Sequence, residues 1–124
     1  TDDAIRSLVV SHKLLGTLDW FIVGHTDCGM SKVTDEVIGE LLETDLETAS
    51  LDQGVWINPL RESSDNTKSG SSLGKHTKWY TFNNLGQTIL DDIDIIKKHP
   101  LVPSHIKIYG LIFDVHTGKL LKVS

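Results

Sequence analysis

A histidine and the only cysteine of the chain stand three residues apart in Gly24-His25-Thr26-Asp27-Cys28-Gly29-Met30, directly after the apolar run Trp20-Phe21-Ile22-Val23. An imidazole nitrogen and a thiolate are donors that zinc and other borderline-soft metals favour, and a turn closing a strand can aim positions i and i+3 at one point. The spacing alone leaves a second reading open, in which Cys28 is a small buried hydrophobe that holds no metal. Asp27, between the two, is a turn former or an acceptor beside a ligand, and Gly29 is a candidate for the pocket wall.

The elements around this heptapeptide follow from periodicity. Ile5, Leu8, Val9, His12 and Leu15 recur at helical spacing, so residues 2–15 are predicted as a helix with Thr1 as N-cap and Gly16 as its stop. His12 falls on the apolar face, where a histidine bonded to a backbone carbonyl is the expectation rather than a ligand. Trp20 to Val23 is a short strand that delivers the His-x-x-Cys turn. A second helix is predicted from Thr34 to Leu42. Leu85, Ile89, Ile93 and Ile96 mark a third over 84–98, with Asp91, Asp92 and Asp94 on its solvated face and Pro100 and Pro103 beyond its end. Residues 106–115 form a strand, and Thr117-Gly118 turns it into a short return strand over 120–123, with His116 as a surface turn residue.

The middle of the chain is less regular. Residues 61–74, Arg-Glu-Ser-Ser-Asp-Asn-Thr-Lys-Ser-Gly-Ser-Ser-Leu-Gly, are polar and lack an apolar period, so a flexible loop is expected there. Trp56-Ile57-Asn58-Pro59-Leu60 and Trp79-Tyr80-Thr81-Phe82 flank it and are expected to pack the loop ends onto the core. Strands separated by helices imply an α/β fold: a mostly parallel sheet flanked by helices, with an antiparallel C-terminal hairpin strand.

Composition narrows the function classes. The 124 residues are 39% hydrophobic, which fits one small domain spanning 1–124, and no run approaches the length of a membrane span. A net charge of −5 with scattered lysines and arginines argues against nucleic-acid binding. A lone cysteine cannot form an internal disulfide, and a cytoplasmic setting is expected.

The stretch TDDAIRSLVVSHKLLGTLDWFIVGHTDCGM closely resembles β-class carbonic anhydrases of the short prokaryotic type and their carbon disulfide and carbonyl sulfide hydrolase relatives. KKHPLVPSHIKIYGLIFDVHTGKLLKV resembles the last helix end, strand and hairpin of the same family. The resemblance implies a β-carbonic-anhydrase-like domain matched over its later part only, with its N-terminal part absent from this chain. It implies Zn2+ as cofactor and His25 and Cys28 as metal ligands. In that family a further cysteine and an Asp-Arg pair come from an upstream Cys-x-Asp-x-Arg segment. This chain holds no second cysteine and no such segment, so the source of the third ligand stays open and no catalytic residue can be assigned. Asp27 does not correspond to the aspartate of that pair.

The resemblance implies hydration of carbon dioxide to bicarbonate, with hydrolysis of carbon disulfide or carbonyl sulfide as an alternative that the long middle segment favours. A non-catalytic zinc-binding assembly module is a further alternative. With so few strands visible, a homodimer or higher homo-oligomer is expected, and the chain as it stands is expected to hydrate carbon dioxide poorly.

Overall fold

The computed structural model describes residues 2–60 and 69–124. The expected cap at Thr1 and residues 61–68 of the expected loop lie outside the described residues. The chain forms two compact units, one built from residues 1–28 and 84–124, the other from residues 29–83.

The first unit begins with helix α1, Asp2–Leu15, which ends where Gly16 takes a φ of 72° and its amide bonds the His12 carbonyl at 2.9 Å. A positive φ at this position is the left-handed helix stop that glycine adopts without steric cost. Strand β1, Asp19–His25, follows, and after the second unit the chain returns as helix α4, Leu85–Lys98, and strand β4, Lys107–Phe113. Asn84 caps α4, its side-chain oxygen accepting the Gln87 amide at 3.0 Å. β1 and β4 run parallel, with Asp19 opposite Lys107 and His25 opposite Phe113. Strand β5, Leu120–Lys122, then pairs antiparallel with β4, giving the order β1-β4-β5. The predicted α/β fold with its antiparallel C-terminal hairpin strand is present, and the described three-stranded sheet is mixed, one pair parallel and one antiparallel.

One face of this sheet carries the core. Ile5, Trp20, Ile89, Ile93, Ile96, Ile106 and Ile108 are buried together. Two strand glycines let α4 lie close against the sheet. A Cβ on Gly24 would meet Leu85 Cδ1 at 2.6 Å, and one on Gly110 would meet Ile89 Cγ2 at 2.7 Å and Ile93 Cδ1 at 2.8 Å. Glycine inside a strand often marks such a close approach. Side chains alternate between faces, so His25 shares with Phe21 and Val23 the face turned away from α4. That face is open: Phe21 is 58% exposed and Val23 53%, and the Phe21 ring stacks on Tyr109 at 5.1 Å.

The second unit is built on helix α2, Asp35–Thr44, whose first turn is capped by Thr34 accepting the Val37 amide at 3.3 Å. Strands β2, Ser50–Asp52, and β3, Val55–Ile57, form a hairpin whose turn residues Gln53 and Gly54 have φ of 46° and 84°. Two left-handed residues in a two-residue loop match the right-handed twist of the strands. Ser69 bridges to Asp45, and helix α3, Leu73–His76, follows. Thus the part of the expected 61–74 loop that is described carries a bridge and the start of a helix. α3 packs on α2 through Gly39, where a Cβ would come within 3.0 Å of Lys75 Cα.

The Asp35 carboxylate organises the rest of this unit. It accepts the Trp79 amide at 3.0 Å, the Thr81 amide at 3.1 Å and the Thr81 hydroxyl at 2.6 Å. Trp79 donates its indole N–H to the Gly74 carbonyl at 2.9 Å. Between these anchors Tyr80 is held at φ 59°, uncommon for a bulky side chain, and the residue stays 60% exposed. The aromatic pair of the sequence is thus split: Trp79 is tied into the unit and Tyr80 faces outward. Among the described residues, no helix is long and apolar enough to cross a membrane.

Candidate functional site

His25 is the last residue of β1 and is exposed on the open sheet face. Its Nδ1 lies 2.9 Å from the carbonyl oxygen of Thr26. A carbonyl can only accept, so whenever this bond forms Nδ1 carries the proton and the neutral ring presents its lone pair at Nε2. A ring in that state is ready to serve as a metal ligand through Nε2.

The turn that follows is fixed from several sides. The Thr26 amide donates to the Phe113 carbonyl at 2.9 Å, extending the β1–β4 pairing by one residue. The Thr26 hydroxyl oxygen accepts the Val115 amide at 3.1 Å. Asp27 takes φ 55°, a left-handed conformation that aspartate tolerates better than most side chains, and the turn brings the chain to the half-buried Cys28. Gly29 is exposed and opens a 3-10 turn, Gly29–Ser31.

A second turn supports the far side of Thr26. Asp114 accepts the His116 amide at 2.9 Å and the Thr117 amide at 3.3 Å through its side chain, while its carbonyl accepts the Gly118 amide at 2.8 Å. The bond from the His116 amide is the main reason that the Asp114 carboxyl is held below its ordinary pKa, with Thr117 adding to it. Gly118 at φ 69° then reverses the chain into β5. Thr26 and Asp114 were not among the residues singled out from the sequence. Asp114 could have been found there, since Asp-x-x-Thr-Gly is a turn in which the carboxylate accepts nearby amides. Nothing local marks Thr26, whose partners come from the end of β4 and the chain just past it.

The remaining histidines of interest sit elsewhere. His12 Nδ1 lies 2.7 Å from the Thr17 carbonyl, as its place on the apolar face of α1 implied, and its ring meets His105 edge to face at 5.4 Å. His116 is an exposed turn residue. Among the described residues, no group of three or more His, Cys, Asp or Glu side chains converges as a metal would require. In the second unit, a cleft of about 950 Å³ is lined by Val37, Leu41, Trp56, Ile57 and Phe82 and holds neither histidine nor cysteine.

No family model matches the chain. Carbon disulfide hydrolase from Saccharolobus solfataricus is 34% identical over 129 residues, covering 98% of this chain and 59% of that protein. β-Carbonic anhydrase 1 from Mycobacterium tuberculosis is 33% identical over 124 residues, covering all of this chain and 61% of its own length. The crystal structure of carbonic anhydrase from Streptococcus mutans superposes with a TM-score of 0.73 at 33% identity, covering all of this chain and 60% of that one. The chain carries part of the β-carbonic anhydrase fold. It spans about 60% of the length of these relatives, which are carbonic anhydrases and carbon disulfide hydrolase within one family.

Proposed function

We propose that this chain supplies His25 and Cys28 as ligands to a catalytic zinc ion that promotes attack of water on a small linear carbon electrophile, with hydration of carbon dioxide to bicarbonate as the first reading. The observation that carries it is the His25 ring, whose Nδ1 rests on the Thr26 carbonyl and whose Nε2 is thereby prepared as a ligand, at the head of a turn that ends in a thiol. An imidazole nitrogen and a thiolate fit zinc. A catalytic zinc takes three protein ligands and leaves one position for water, so the pair accounts for two of the three. The described residues leave the origin of the third open.

When bound, zinc supplies Lewis-acid activation of water near neutral pH. The chain's own part is to hold and orient. His25 Nε2 and Cys28 Sγ would hold the ion. The Thr26 carbonyl keeps the histidine proton away from the ligating nitrogen, and the left-handed Asp27 shapes the turn between the ligands. The exposed apolar face around Phe21 and Val23 supports association into a homodimer or higher homo-oligomer.

Hydrolysis of carbon disulfide or carbonyl sulfide is the second reading, supported by the 34% identity to a carbon disulfide hydrolase as the 33% identity to a carbonic anhydrase supports the first. The two differ in product. Stopped-flow carbon dioxide hydration and hydrogen sulfide release, measured on the zinc-loaded 124-residue chain and on a longer chain carrying a Cys-x-Asp-x-Arg segment ahead of Thr1, separate them. Zinc-dependent turnover by the longer chain, absent on Cys28→Ser, is expected. A longer chain that binds zinc without turning over any of the three substrates would overturn the enzymatic reading in favour of a non-catalytic zinc module.

A further inference from the structure

Thr26 lies between the two candidate ligands, and the turn is fastened through it. Its amide donates to the Phe113 carbonyl at 2.9 Å, its hydroxyl oxygen accepts the Val115 amide at 3.1 Å, and its carbonyl faces His25 Nδ1 at 2.9 Å. The first two bonds tie the residue to the end of β4 and to the chain just past it. The segment they reach is itself braced by Asp114, which accepts the amides of His116 and Thr117.

From this geometry we infer that Thr26 is a positioning residue: by anchoring to Phe113 and Val115 it fixes the direction of its own carbonyl, and that carbonyl selects the Nδ1–H tautomer of His25. The inference rests on the proposed metal role of His25, but its physical content is a statement about the metal-free ring. A neutral imidazole free in water favours the proton on Nε2, the nitrogen that has to be bare to bind a metal. The His25–Thr26 bond lies at an exposed site, where water competes for both partners. A carbonyl free to swing would lose that competition, and the ring would revert to the form with its lone pair on Nδ1. The hydroxyl of Thr26 is the part of the anchor that a substitution can remove while the main chain is kept.

Long-range proton–nitrogen correlation spectra of the isotope-labelled, zinc-free protein, taken where the His25 ring is neutral, read the tautomer directly. Wild type is expected to show the Nδ1–H form. Thr26→Val keeps the shape and removes the acceptor for the Val115 amide, and the ring is expected to move toward the Nε2–H form. Thr26→Ser keeps the hydroxyl and is expected to restore the wild-type pattern. Zinc affinity should follow, falling by roughly 10- to 100-fold in Thr26→Val, the usual effect of removing a group that orients a ligand, and recovering in Thr26→Ser. Should Thr26→Val fail to fold, Thr26→Ala against Thr26→Ser gives the same comparison. An Nδ1–H ring in folded Thr26→Val or Thr26→Ala, or an Nε2–H ring in wild type, overturns the inference. Zinc that fails to bind wild type while the tautomers follow the expected order overturns the metal reading and leaves the positioning role standing.

Discussion

Replacing Gly110 by alanine should destabilise the first unit more than replacing Gly24, although both glycines lie on sheet positions facing α4. A new Cβ at Gly110 falls 2.7 Å from Ile89 Cγ2 and 2.8 Å from Ile93 Cδ1. Cγ2 sits directly on a β-branched carbon and cannot withdraw without turning χ1, and Ile89 is only 2% exposed, so its surroundings have no room to yield. Overpacking of this kind costs about 1–3 kcal/mol. At Gly24 the nearest atom, at 2.6 Å, is Leu85 Cδ1, the far end of a half-buried side chain that can rotate, with Ile89 Cδ1 next at 3.0 Å. Part of that smaller cost is offset by about 0.4–1 kcal/mol, because alanine reduces the freedom of the unfolded chain wherever its φ is allowed. The expected order is therefore a loss of about 2 kcal/mol for Gly110→Ala and under about 1 kcal/mol for Gly24→Ala. Urea denaturation followed through the indole resonance of Trp20, which is buried in the same core, measures both. Adding Ile93→Val to Gly110→Ala removes one of the two clashing methyls, so the double variant should lose less than the sum of the singles. Equal losses at the two glycines, or strict additivity of Gly110→Ala with Ile93→Val, would refute the argument that α4 is seated on these glycines.

Three further outcomes are expected. Asp35 is held below its ordinary pKa chiefly by the Thr81 hydroxyl, then by the Thr81 amide, so its contribution to the second unit is present above the unfolded carboxyl's pKa and is lost as pH falls through the depressed folded value. On acidification the Trp79 and Thr81 amide resonances should move together and late relative to an unperturbed carboxylate; Asp35→Asn should abolish that shared transition, and independent shifts of the two amides would count against a common acceptor. Asp114 behaves in the same sense, its stabilisation of the 114–118 turn being full above the unfolded carboxyl's pKa and lost as pH falls through the lowered folded value, and Asp114→Ala should raise amide exchange at His116 and Thr117 at neutral pH. Val23→Lys on the open sheet face should shift sedimentation toward monomer at micromolar concentration without unfolding the chain, and a wild type that is already strictly monomeric would contradict association through that face.

The long helices and the paired strands could be read from the sequence because each presents a period to a single core. Ile89, Ile93 and Ile96 mark α4 by their spacing, and the turn glycines Gly16 and Gly118 mark its neighbours' ends. The β2–β3 hairpin escaped because its strands are three residues each, too short for alternation to register, even though Gln53-Gly54 is a fair two-residue turn. α3, at four residues, is shorter than any helical period can announce. At the candidate site, His25 and Cys28 were visible through residue type and spacing. The clamp on Thr26 was not, since Val115 lies 89 residues away and meets it only through parallel pairing of β1 with β4. The Asp35 clamp is hidden for the same reason, its acceptor and donors lying 44 and 46 residues apart.

The central claim, that His25 and Cys28 together bind zinc, is tested most directly by zinc X-ray absorption on the purified protein and on Cys28→Ser and His25→Ala. Wild type is expected to show a sulfur scatterer at about 2.3 Å and nitrogen or oxygen scatterers at about 2.0–2.1 Å. Cys28→Ser is expected to lose the sulfur shell and His25→Ala to lose bound zinc. Zinc held in wild type with no sulfur neighbour, or an unchanged spectrum in either variant, would contradict it.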